Sequence, residues 1–162
     1  MRTSVVSALI YLLSGLPPAA ADGVEGVWVT PAGESLVRVA PCRGRGQPPT
    51  LCGVIVKLKS RLDEAGVVWR DKHNEDPALR DRLLMGLRIL DGFSRKDASR
   101  WRGGTVYNPK DGNTYRSKLT LKAPDHLRVQ GCVLFLCRTQ DWYRATQADI
   151  DAPVLERPAP DE

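Results

Sequence analysis

Apolar and polar residues alternate with a period of two along most of this chain, the pattern of strands with one buried and one wet face. Residues 114–122 show it best. Tyr115, Ser117, Leu119 and Leu121 share one phase, and Thr114, Arg116, Lys118, Thr120 and Lys122 the other. The turn formers Asn108-Pro109-Lys110-Asp111-Gly112-Asn113 precede this strand and predict a hairpin tip. The same reading places strands over residues 24–30, 35–40, 53–59, 85–90, 100–107, 126–132 and 138–145. Residues 44–50 are expected to form a loop tip, and Asp91-Gly92 is expected to close the strand at 85–90. Helical crossovers are absent, so consecutive strands predict an antiparallel meander of eight strands. Closing it into an up-and-down barrel removes its exposed edges.

One stretch breaks the pattern. Residues 60–84 carry no strand period and predict a long loop, with a short helix over 77–83 started by Asp76 and Pro77. Long loops in compact domains are usually functional or disordered. Residues 146–162, acidic and holding Pro153, Pro158 and Pro160, are expected to form a disordered tail.

The first 21 residues read as a cleavable secretory signal. Arg2 supplies the positive start, an apolar core follows, and Ala19, Ala20 and Ala21 form a small-residue cleavage site. The apolar run is too short for a membrane span, which needs roughly 20 residues. The expected product is a periplasmic or secreted barrel domain over 22–145, with no integral span. Export changes the meaning of the four cysteines, which in an oxidising compartment predict two disulfides. Three connectivities are open. The local pairs Cys42 with Cys52 and Cys132 with Cys137 each suit a loop or hairpin closure, worth roughly 2 to 3 kcal/mol apiece in unfolded-state entropy. A redox role for Cys132 and Cys137 has the wrong spacing.

The formal charge is +5, and the predicted barrel concentrates it: residues 22–145 hold 22 Lys and Arg against 14 Asp and Glu. Basic bodies can meet nucleic acid, anionic lipid or acidic polymers. Here the charges stand at alternating strand positions, which is how a solvated strand face looks. Export and the lack of a recognisable nucleic-acid-binding motif argue against nucleic acid.

Gly26-Val27-Trp28 opens the first strand and Trp142-Tyr143-Arg144 closes the last. In a closed meander these strands are neighbours, so a guanidinium, Arg144 before Arg138, is expected to cover the Trp28 indole. That contact is structural closure. The G-x-W start is similar to that of the lipocalin or wider calycin superfamily. A broader resemblance rests on GVWVT from Gly26, LCGVIVKL from Leu51, DKHNEDPALRDRLLMGLRIL from Asp71, YNPKDGNTY from Tyr107 and LRVQGCVLFLCRTQDWYR from Leu127. In their order and spacing these segments resemble the exported bacterial family called domain of unknown function 2147. Glu75 and Leu83 stand where that family's pattern has proline. The resemblance implies a lipocalin-like barrel in the cell envelope and no established activity.

Candidate chemistry is sparse. Asp71, Lys72, His73, Asn74, Glu75 and Asp76, backed by Arg80 and Arg82, form the densest polar cluster. It reads as a rim for a polar ligand head or as self-satisfied turns, caps and ion pairs. Trp69, Asp71, Asn74, Asp76, Arg80, Trp101, Tyr107 and Tyr115 are the candidate ligand-binding residues; for Trp69 and Trp101 the competing reading is plain packing. A calcium loop needs more oxygen ligands and a glycine at its sharp turn. His73 and His126 lack zinc spacing, and there is no nucleophile elbow or phosphate-cradling loop. No carboxylate pair is singled out for glycan cleavage. Neither a catalytic residue nor a cofactor is expected. The function expected is non-enzymatic binding of a small apolar or amphipathic ligand in the barrel. The alternative is a solid-core structural or stress-related envelope protein that binds a macromolecular partner through its basic surface or long loop.

Overall fold

The computed structural model describes residues 23–42, 49–134 and 136–156. Eight antiparallel strands follow one another round a closed barrel. They are β1 (Gly26–Val29), β2 (Ser35–Pro41), β3 (Leu51–Leu58), β4 (Arg88–Arg95), β5 (Arg100–Asn108), β6 (Asn113–Ala123), β7 (His126–Val133) and β8 (Leu136–Arg144). Closure comes from β1 against β8, where Trp28 pairs with Arg144 and Val29 with Tyr143. The meander read from the alternation is therefore a closed up-and-down barrel.

One end is a packed floor. Trp28, Trp142, Leu119 and Leu127 are buried there, in one cluster with Phe93, Leu90, Val37, Val39 and Trp101. Gly26 opens β1 at φ +136, and a Cβ there would collide with the guanidinium of Arg144. That guanidinium lies 4.4 Å over the Trp28 ring. It also donates to the carbonyls of Pro124 at 2.8 Å, Glu25 at 3.0 Å and Gly23 at 2.6 Å. One side chain thus ties the start of the barrel to its finish.

Glycine also sets wall spacing. A Cβ on Gly53 of β3 would lie 2.8 Å from the fully buried side chain of Leu90 on β4. Gly53→Ala overpacks this contact, and its expected cost is about 1 to 3 kcal/mol, read from the urea midpoint of the variant.

Three expectations change. The strand placed at 85–90 is β4, Arg88–Arg95, and Asp91-Gly92 lies inside it instead of ending it. Gly92 at φ +71 and Gly103 at φ +79 on the neighbouring strand let the backbone bend while the ladder resumes at Ser94 and Arg102. The helix expected over 77–83 is one 3-10 turn, Pro77–Leu79, capped by the Asp76 side chain accepting from the Ala78 N–H at 2.9 Å. It stops early because the following residues turn back to carry Arg82 to Asp71.

The tail is also ordered over its first part. Helix α1, Gln147–Asp151, carries a capping box between Thr146 and Asp149. The Lys57 ammonium donates to the carbonyls of Asp149, Ile150 and Ala152 at 2.6 to 2.8 Å, and Leu155 bridges to Ser60. A cation at the helix C-terminus offsets the tail's acidity. The signal sequence at 1–21, most of the loop tip at 44–50 and the last six residues of the tail lie outside the described residues. Among the described residues no helix is long and apolar enough to cross a membrane.

Candidate functional site

The polar cluster of the long connection converges on one carboxylate. Asp71 is fully buried. Its Oδ2 accepts from Asn74 Nδ2 at 2.9 Å and from Arg82 Nε at 2.8 Å, with Arg82 Nη2 at 2.7 Å. Its Oδ1 accepts from the Tyr107 hydroxyl. Asn74 Nδ2 also donates to the Tyr107 oxygen at 2.9 Å, and the Arg82 guanidinium lies 5.5 Å from the centre of the Tyr107 ring. Burial, then the hydrogen bond to Asp71, pushes the Tyr107 hydroxyl pKa above its ordinary value. Around this knot Asn74 Oδ1 accepts from the Asp76 N–H, and Arg80 Nε donates to the Asn74 carbonyl at 2.8 Å.

Tyr107 follows the inward Val106 on β5, so it belongs to the outward phase. The network therefore straps the long connection to the barrel wall. Every buried polar side-chain atom among the described residues has a partner. Trp69 joins the strap by donating from Nε1 to Ser60 Oγ at 3.2 Å. Six of the candidate ligand residues, Trp69, Asp71, Asn74, Asp76, Arg80 and Tyr107, are thus gathered in this strap. Trp101 is buried in the floor with Leu119 as its register partner. Tyr115 alone among them stands at an opening.

That opening is at the opposite end from Trp28. Along the inward phase of β6, burial falls from the buried Leu119 to the half-buried Ser117 and Tyr115. On β7 it falls from Val129 through Gly131 to Val133. An open groove of about 840 Å³ lies there, lined by Tyr115, Ser117, Val133 and Leu134 and by the basic residues Arg102, Arg116 and Lys118. Tyr115 donates its hydroxyl to Asp111 Oδ2 at 2.7 Å, and that bond, followed by burial, raises its pKa.

These basic residues are exposed, as their alternating strand positions predict. The signal that could have found the groove lies between the last two cysteines, where the apolar Val133, Leu134 and Leu136 stand at a hairpin turn usually built from polar residues and glycine.

Both disulfides are local: Cys42 with Cys52, and Cys132 with its register partner Cys137. The group formed by Cys42, Cys52 and Asp91 brings metal-type ligand atoms together, but its sulfurs are joined to each other and offer no thiolate. His126 is likewise engaged, 2.9 Å from Asp141 and stacked on Tyr143 with ring centroids 5.1 Å apart. The Arg128 guanidinium first, and His126 second, hold the Asp141 carboxyl at about 2.

A depressed carboxyl stabilises the fold above its unfolded value of about 4 and loses that contribution as pH falls toward 2. Asp141→Asn is therefore expected to be less stable than the parent at neutral pH. The two should converge in acid, as followed by urea unfolding across that range.

The geometry of a closed eight-stranded barrel is shared with a solved structure described as "Protein HP1028 from the human pathogen Helicobacter pylori belongs to the lipocalin family". The TM-score is 0.62 at 21% identity, over 78% of this chain and 86% of that one. No curated protein matches the chain. The model of the family described as "Uncharacterized protein conserved in bacteria (DUF2147)" matches residues 26–144, from the glycine beneath Arg144 to Arg144 itself, and the chain belongs to that family.

Proposed function

We propose that this protein is an exported, non-enzymatic carrier that seats a small amphipathic molecule in the open end of its barrel. The observation that carries the reading is the groove between β6 and β7. Its volume of about 840 Å³ falls within the roughly 300 to 1,000 Å³ of small-molecule sites. Tyr115, Ser117, Val133 and Leu134 line it together with Arg102, Arg116 and Lys118, so an apolar body with an anionic head matches its lining. The disulfides and the signal-like first 21 residues support an oxidising, extracytoplasmic setting.

Native mass spectrometry of protein purified from periplasm is expected to carry a lipid-sized adduct. Titration with the anionic fluorophore ANS is expected to give saturable enhancement that Ser117→Trp abolishes by filling the groove. Repeatedly empty protein with no ANS response overturns the reading. A second reading has its own support: Trp28, Phe93, Trp101 and Trp142 pack the floor solidly, and an eight-stranded barrel can be filled by side chains alone. On that reading the outer surface does the binding, and Ser117→Trp changes nothing.

A further inference from the structure

The tip of the β7–β8 hairpin is built against the usual rule for a turn. Val133 and Leu136 form its last register pair, and Val133, Leu134 and Leu136 are 54%, 90% and 70% exposed. Leu134 occupies the left-handed region at φ +52, where glycine or asparagine is the ordinary choice. The adjacent pair, Cys132 and Cys137, is joined by the disulfide. The disulfide thus fixes the base of the apolar tip, which lowers the ordering cost of insertion.

Cations surround it. Arg116 shares a register row, and so a face, with Cys132, while Arg138 pairs with Gly131. Arg102 and Lys118 line the groove that reaches Val133 and Leu134. All four are exposed, and among the described residues none forms an ion pair. The nearby carboxylates are engaged, Asp111 by Tyr115 and Asp91 by Arg88.

We propose that this hairpin tip is a docking wedge for an anionic phospholipid surface, its apolar side chains entering the acyl boundary while the four cations meet the headgroups. Shallow apolar insertion combined with a basic collar is the physical pattern of peripheral membrane binding. Three apolar side chains are too small a patch for a stable protein interface, which buries about 800 Å² per partner. The proposal does not rest on the small-ligand reading: Val133 and Leu134 also line the groove, but the exposed Leu136 and Arg138 lie outside it, and the docking needs no ligand there.

The test is co-sedimentation with vesicles of phosphatidylcholine containing phosphatidylglycerol, against vesicles of phosphatidylcholine alone. Binding is expected to the anionic vesicles, to weaken with salt, and to fall roughly fivefold for each cation removed in R116Q and K118Q. L134S combined with L136S is expected to lose at least about tenfold. Because position 134 is exposed, L134W serves as a reporter: its emission should shift to the blue on anionic vesicles and be quenched by brominated acyl chains. No sedimentation, sedimentation indifferent to L134S/L136S, or an unmoved L134W emission overturns the proposal. So does lipid-free self-association abolished by L134S, which would assign the tip to a second copy of this chain. S117W, which blocks the groove, should leave vesicle binding intact, so failure of the carrier reading is read separately.

Discussion

Trp28→Ala is expected to lower the unfolding free energy by about 3 to 5 kcal/mol, the range for removing a large aromatic side chain from a core. Trp28 has no exposed surface, and its Nε1 donates to the Val24 carbonyl at 2.8 Å. It is also the face on which the Arg144 guanidinium rests at 4.4 Å. The variant therefore loses buried area, one hydrogen bond and the platform of the residue that joins the two ends of the chain. Trp28→Phe keeps most of the apolar area and forfeits the hydrogen bond, so its cost should be about 1 to 2 kcal/mol. Urea unfolding monitored by far-ultraviolet circular dichroism measures both. A Trp28→Ala loss below about 1 kcal/mol would mean that the floor is not the foundation of the barrel.

The second large effect is expected at Asp71. Asp71→Ala removes the common acceptor of Asn74, Arg82 and Tyr107, leaving the Tyr107 hydroxyl without its acceptor and Asn74 Nδ2 with only the Tyr107 oxygen. Arg82 keeps enough contact with water to remain solvated, so the expected cost is about 2 to 4 kcal/mol, below that of stranding a fully buried cation. The consequence should be local as well as global. With the strap released, amides of the long connection should exchange with solvent faster than those of β5 and β6. Asp71 and Tyr107 share one hydrogen bond, so Asp71→Ala and Tyr107→Phe should be non-additive by about 0.5 to 3 kcal/mol in a double-mutant cycle. Additive losses would show that the two side chains act separately. On the carrier reading, Asp71→Ala leaves ANS binding at the groove unchanged, because the strap lies on the outer wall.

Much of the architecture was legible from alternation. Leu119 and Leu121 against Arg116 and Lys118 mark an inner and an outer face, because one buried side of a sheet demands that period. The turn at Asn108 to Asn113 and the order of the hairpins could be read for the same reason. The bounds of β4 are not legible in the sequence because glycine is an ambiguous signal. Gly92 marks a turn in most sequences, yet a bent strand in a barrel uses the same conformational freedom. Helix α1 is less legible because, beyond its short capping box, its carbonyls are held by Lys57, a residue ninety-two positions away from Asp149.

The candidate site was less legible. A run of polar residues in a long loop looks alike whether it faces a ligand or a wall, and only the phase of Tyr107 distinguishes the two. The groove depends on Ser117 of β6 and Val133 of β7 coming to one end of the barrel. Neither residue carries a chemical signal by itself.

What the amino-acid sequence determined alone was the local grammar of this protein: where strands run, which phase is apolar, and the cysteines available for closing loops. Each follows from interactions within a few residues or from a face's need to leave water. Tertiary structure decided the rest. It laid Arg144 over Trp28, turned the polar loop against the outer wall, and left Val133, Leu134 and Leu136 standing in solvent near Arg116 and Arg138. Such outcomes depend on the register and curvature with which distant strands meet. Those are set by the packing of the whole barrel, which no short segment encodes.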